Sequence, residues 1–336
     1  MSDTEVVVRS LAAESPLVAN DVLELIRKGA KFVEFDADHT LFSIEGIDEM
    51  ARLRGQETVA RVSNMTKRGM SGTLDVYSAY QEKFAIVQPD KRMVAYLGQL
   101  YEQALDQDAI TLLKTLHKLE IGIGIISGGF EKPIRMALTK KVPGIQIGIR
   151  ANQLKLNTDG TYAGFNQSNL VAHQRGKRQA LQLDRNASTV HGHVAMVGDG
   201  ATDQESYDPI NGGADSFIKF TKHTNRYALN ASIETNDYSV LLVLLAGHKR
   251  WQAIYRGSDP SARQLLMRGM LTILADTTGT TPESMDKNGY VEFHTDDHSI
   301  EDELRGRIFN FLQKQEGLRI SGKSNLVKLK EAKKIA

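Results

Sequence analysis

Along the first 245 residues, short apolar runs alternate with amphipathic stretches. The runs at 31–35 (KFVEF), 121–126 (IGIGII), 145–149 (IQIGI), 194–197 (VAMV) and 216–220 (SFIKF) have the length of strands. Between several of them lie helical patterns. The stretch 108–119 (DAITLLKTLHKL) places apolar residues at 110, 112, 113 and 116, and a second pattern starts over 177–183. Strands that alternate with helices predict an α/β fold with a parallel sheet covered on both faces. Residues 43–100 break the alternation. They read as helices only and form an insertion after the first strand. A last sheet segment at 231–233 and the apolar helix 238–246 complete the pattern.

Past Gly247 the pattern changes. The stretch 261–275 (SARQLLMRGMLTILA) carries Leu265, Leu266, Met267, Met270, Leu271, Ile273 and Leu274, too many apolar side chains for a helix alone in water. It must cover the body of the molecule, a second copy of the chain or a protein partner. A turn-rich segment holds Gly279, Pro282 and Gly289. Ser299 with acidic residues at 301–303 then predicts a capped helix through Leu312. The expected division is a core of 1–42 with 101–247, a helical cap at 43–100, an accessory helical module at 248–316 and a basic tail at 317–336.

Composition narrows the class. The 336 residues carry 42 Lys and Arg against 41 Asp and Glu, so no global field favours nucleic acid. There is no cysteine, which removes disulfides, thiolate metal sites and cysteine nucleophiles together. The opening MSDTEVVVRS lacks the basic-then-apolar order of a signal peptide, and no run reaches the roughly 18 apolar residues of a membrane span. A cytoplasmic location is the expectation.

In an open parallel sheet, ligands sit beyond the C-terminal ends of the strands. Asp36, Asp38 and Thr40 follow the first strand, Ser127, Gly128 and Gly129 the second, and Gly198, Asp199, Gly200 and Asp203 the fourth. Lys177 opens the helix that enters the fourth strand. Four carboxylates so close cannot all remain ionised without a cation among them, and an all-oxygen set suggests Mg2+. Glycine amides, a hydroxyl and a lysine suit a phosphoryl group, and a carboxylate beside the cation can attack phosphorus.

These motifs, DxDxT at 36–40, Ser127, Lys177 and GDGATD at 198–203, resemble those of the haloacid dehalogenase-like phosphatases. The phrases EGIDE (45–49), VSNMTKRGMSG (62–72), SGGF (127–130) and YAGF (162–165) narrow the resemblance to the phosphoserine phosphatase family, over roughly residues 20–245. The resemblance implies a Rossmann-like core with a small helical cap that closes over a small phosphorylated substrate, phosphoserine. It implies Asp36 as nucleophile and Asp38 as the acid that protonates the leaving oxygen and later activates water. Mg2+ falls to Asp36, Asp199 and the backbone carbonyl of Asp38, with Asp203 behind. Ser127, the amide of Gly128 and Lys177 fall to the phosphoryl group, and Glu45 to the substrate's amino group.

The chain also departs from that pattern. Where the family has an arginine for the substrate carboxylate, the count lands on Lys83, which keeps the charge and loses the bidentate fork. Val76 stands where an aromatic is expected, and His39 where serine is common. Arg175 competes with Lys177 for the third motif, and spacing from YAGF favours Lys177. These changes open the alternative of a phosphatase or phosphotransferase acting on another metabolite or on protein phosphoresidues. A second class is a binding protein that keeps the fold, against which the full catalytic set argues. The stretch GIGIISG (122–128) imitates a dinucleotide fingerprint but places its glycines inside a strand. His191 and His193, and the cluster His294, Asp296, Asp297 and His298, read as loop residues.

Overall fold

The computed structural model describes residues 24–25, 27–70, 74–187, 192–224, 229, 231, 233–274, 320–323 and 326–329. Six parallel strands form one sheet: β1 (Phe32–Phe35), β2 (Gly122–Phe130), β3 (Gly148–Asn152), β6 (Val194–Gly198), β7 (Ser216–Phe220) and β8 (Ile233–Thr235). Their order is β3-β2-β1-β6-β7-β8. The chain therefore builds outward from β1 to one side, then crosses to β6 and builds to the other. The switch point lies at the C-terminal ends of β1 and β6, where open α/β sheets form their ligand crevice. Two further strands, β4 (Leu154–Leu156) and β5 (Tyr162–Phe165), make a separate antiparallel hairpin.

Alternation along the strands divides the core in two. Val33, Phe35, Ile123 and Ile125 face one apolar cluster, while Ile126, Val194, Met196 and Phe217 face another with Ala180 and Leu181 of the helix Gly176–Ala187. The insertion after β1 is helical as expected: α1 (Gly46–Arg54), α2 (Gln56–Met70), α3 (Val76–Val87) and α4 (Lys91–Ala104). Asp75 caps α3 by accepting from the Ser78 amide, and Asp90 caps α4 by accepting from the Arg92 and Met93 amides. Helix α4 runs on past residue 100 and packs on α6 (Glu131–Lys141). The remaining helices are α5 (Gln107–Lys118), α7 (Gly176–Ala187), α8 (Ala201–Gln204), α9 (Tyr238–Ala246), α10 (His248–Tyr255) and α11 (Pro260–Leu274).

Several boundaries differ from the sequence reading. β2 continues through Ser127, Gly128 and Gly129 to Phe130 instead of ending at 126, with a register shift against β3 between Ile126 and Phe130. β3 starts at Gly148, three residues late, because only from there does an edge strand find partners on β2. The final sheet segment is Ile233–Thr235. α11 answers what the apolar stretch after Gly247 covers: Leu265, Leu266, Met267 and Met270 are buried in the same cluster as α9 and the sheet. Inside the basic tail, β9 (Ile320–Lys323) pairs antiparallel with β10 (Leu326–Leu329). The helix expected at 300–312, the turn-rich segment, His191 and the cluster at 294–298 lie outside the described residues. No helix among the described residues is long and apolar enough to cross a membrane.

Candidate active site

The end of β1 brings Asp36 to the switch point, where its amide donates to the carbonyl of Val197 on β6 (2.9 Å). The next turn after β6 supplies Asp199 and Asp203. Carboxylate oxygens of Asp36, Asp199 and Asp203 lie within 4.8 Å of one another. Lys177, in the first turn of α7, reaches between them, 2.9 Å from Asp36 Oδ1 and 2.6 Å from Asp203 Oδ1. Asp203 is fully buried and also accepts from the Gly200 amide (2.9 Å). Burial alone would lower the Lys177 ammonium, but the Asp203 and Asp36 carboxylates override it and push it above its ordinary range. Arg175, its competitor in the sequence, is exposed.

The Lys177 ammonium offsets only part of this acidic charge. Burial, then Asp36 and Asp203, push Asp199 up to about 8. Burial pushes Asp203 up to about 6 although Lys177 pulls against it. Three converging, buried carboxylates fit a hard divalent cation, which favours the ionised forms of Asp199 and Asp203. Their approach depends on glycine: a Cβ at Gly198 would stand 2.2 Å from the carboxyl carbon of Asp203.

Asp38 faces a different setting. Tyr101 donates its hydroxyl to Asp38 Oδ1 (2.5 Å), and the Gly46 amide donates to Oδ2 (3.2 Å). Burial foremost, then Glu45, push the Asp38 carboxyl well above the usual range, against the pull of the Tyr101 hydrogen bond. Ser127 is buried, and its Oγ accepts from the Gly129 amide (3.0 Å). The Asp38 carboxyl, Tyr101 hydroxyl and Ser127 hydroxyl all crowd Gly129, since a Cβ there would meet them at 3.0, 3.1 and 3.3 Å. The Gly128 carbonyl is held by Asn152 Nδ2 (2.7 Å).

Glu45 ends the loop before α1, with a carboxylate oxygen 3.8 Å from His39 Nε2. His39 occupies the left-handed region (φ 57°), which orients the turn after the two aspartates. Lys83, on α3, feels Glu45 and Asp48, whose charges oppose the lowering that burial imposes on its ammonium. So the fold joins Asp36 and Asp203 through Lys177, holds an Asp199 oxygen within 4.8 Å of theirs, sets Asp38 and Ser127 beside them, and brings Lys83 into the electrostatic range of Glu45. Away from this crevice, His193 Nε2 lies 3.0 Å from Ser216 Oγ at the far end of β6. Two residues bordering the crevice escaped the sequence reading: Tyr101, bonded to Asp38, and Tyr80, whose hydroxyl lies against Gly128. Tyr101 and Tyr80 stand on cap helices where tyrosines read as core or surface, and no spacing signal sets them apart.

No family model matches the chain. The phosphoserine phosphatase of Homo sapiens is 32% identical over 229 residues, 67% of this chain and 98% of that protein. The chloroplastic phosphoserine phosphatase of Arabidopsis thaliana is 31% identical over 217 residues, 64% of this chain and 71% of that one. Among solved structures, a HAD family hydrolase from Salmonella enterica serovar Typhi shares the fold with a TM-score of 0.54 at 19% identity, over 65% of this chain and 72% of that one.

Proposed function

The chain belongs to the phosphoserine phosphatase family and is a phosphomonoesterase, and from that premise we propose that it hydrolyses O-phosphoserine with Mg2+ through an aspartyl-phosphate on Asp36. The observation that carries this reading is the seat of Asp36, a buried carboxylate 2.9 Å from the Lys177 ammonium and within reach of Asp199 and Asp203. A carboxylate oxygen of Asp36 attacks phosphorus while the bond from phosphorus to the serine oxygen breaks, and Asp38 hands its proton to that oxygen. Asp38, raised by burial, is suited to hold the proton beforehand. Once ionised, it takes a proton from water, which attacks the phosphoryl group and frees Asp36 and orthophosphate. Lys177, Ser127 and the Gly128 amide balance charge on the phosphoryl oxygens. Asp36, Asp199 and the Asp38 carbonyl would hold Mg2+, with Asp203 supporting them. The cation supplies charge neutralisation for the carboxylates and the phosphoryl oxygens. Glu45 and Lys83 offer opposite charges to the ammonium and carboxylate of free phosphoserine.

Two measurements test the proposal. Asp36→Asn should lower phosphoserine turnover by several orders of magnitude, because it removes the attacking group. Chelation with EDTA should abolish turnover and added Mg2+ restore it. Near-wild-type activity in Asp36→Asn would sink the mechanism.

A further inference from the structure

One polar group of the cap has no part in that chemistry. Tyr80 stands on α3 one turn before Phe84, whose ring packs on Phe130 (5.1 Å) and edge-on against Phe165 (5.0 Å). These contacts tie α3 to the end of β2 and to the β4–β5 hairpin. The Tyr80 ring leans on Phe84 at 5.6 Å and so has a fixed seat. Its hydroxyl lands on Gly128: a Cβ built there would lie 1.9 Å from the phenol oxygen. The charged groups it senses are Lys177, Glu45, Asp36 and Asp38, the site itself. Among the described residues no hydrogen bond holds this hydroxyl. A ring that merely filled the cap would be served by phenylalanine. A phenol oxygen set against a glycine and aimed among four charged groups calls for a polar partner, and the described residues supply none.

We propose that the Tyr80 hydroxyl donates a hydrogen bond to a non-bridging phosphoryl oxygen of the substrate, beside the Gly128 amide. This rests on the phosphatase reading above. A phenol is protonated at neutral pH and can donate to an anionic oxygen. The donor comes from the cap while the other phosphoryl contacts come from the core, so the contact exists only with the cap closed over the crevice. Gly128 then has two uses: its bare Cα lets the backbone amide approach the phosphoryl group and leaves room for the phenol oxygen.

Tyr80→Phe keeps the ring on Phe84 and removes only the donor, so its melting temperature should match that of the wild type. With Mg2+ present, kcat/KM should fall about ten- to a hundredfold, and equally for phosphoserine and for para-nitrophenyl phosphate. Orthophosphate, titrated as a competitive inhibitor or by calorimetry, should bind about tenfold more weakly. Rates and orthophosphate affinity within twofold of wild type would overturn the proposal. A loss confined to phosphoserine would overturn it too, because the hydroxyl would then read the amino-acid part. If the wild-type enzyme hydrolyses neither ester, the phosphatase reading falls on its own, and the orthophosphate titration still decides whether Tyr80 contacts phosphate.

Discussion

Asp36 and Asp38 are one residue apart, yet β1 delivers them to different surroundings. Asp36 meets the Lys177 ammonium, while Asp38 turns to the Tyr101 hydroxyl and the Gly46 amide. Two carboxylates in unlike settings can divide attack from proton transfer, and burial raises the one assigned to carry the proton. In the proposed mechanism, Glu45 and Lys83 are assigned to the ammonium and carboxylate of the substrate. Lys83→Ala should weaken phosphoserine use by about 1.5–3 kcal/mol, roughly ten- to a hundredfold in kcat/KM, through loss of one charge-assisted hydrogen bond. A phosphate ester without the carboxylate should be affected far less. Equal losses on both esters, measured side by side, would remove Lys83 from the carboxylate contact. At this scale the aspartates, Ser127 and Lys177 were visible in the sequence because each follows or precedes a recognisable strand. Tyr101 and Tyr80 were not, since only tertiary packing brings a cap tyrosine onto a glycine of the core.

The turn between β6 and α8 shows how an element fixes chemistry. Gly198 ends the strand, the Gly200 amide holds Asp203, and Lys177 grips the same carboxylate from α7. In Gly198→Ala the new methyl would meet the Asp203 carboxyl at 2.2 Å, and that carboxyl, bonded on both sides, has nowhere to move. The variant should need at least about tenfold more Mg2+ for half-maximal activity, read from a Mg2+ titration, since a displaced carboxylate loses its place in the cation set. An unchanged titration would separate Asp203 from cation binding. The central buried strands β1, β6 and β7 were legible as apolar runs within a residue or so. Edge elements were less so. β3 depends on pairing with β2 for its start, and the run at 145–147 is apolar without a partner. The β4–β5 hairpin is short and half-exposed, with its turn at Asn157–Gly160 as the missed signal.

Across the whole molecule, the helices after Gly247 are seated on the core, with Trp251, Leu265, Leu266, Met267 and Met270 buried in the same cluster as the sheet. All nine residues of α9 are buried, and Trp251 on α10 is buried as well, donating its indole N–H to the Val243 carbonyl (2.8 Å). α11 crosses α9 at Gly269, where a Cβ would stand 2.1 Å from the backbone oxygen of Ser239. Arg268 beside it pairs with Asp108 at the start of α5 and lies 3.7 Å from Asp237. Without this cover, apolar side chains of α9 would face water. No residue assigned to attack, proton transfer or the phosphoryl group comes from α10 or α11. Gly269→Val should therefore wedge the two helices apart and cost about 1–3 kcal/mol of stability, a drop of a few degrees in Tm for a chain of this size. Well below that Tm, kcat and KM should stay at wild-type values. A variant that melts normally yet loses kcat would mean that α11 communicates with the crevice, and the separation of cover from chemistry would be wrong.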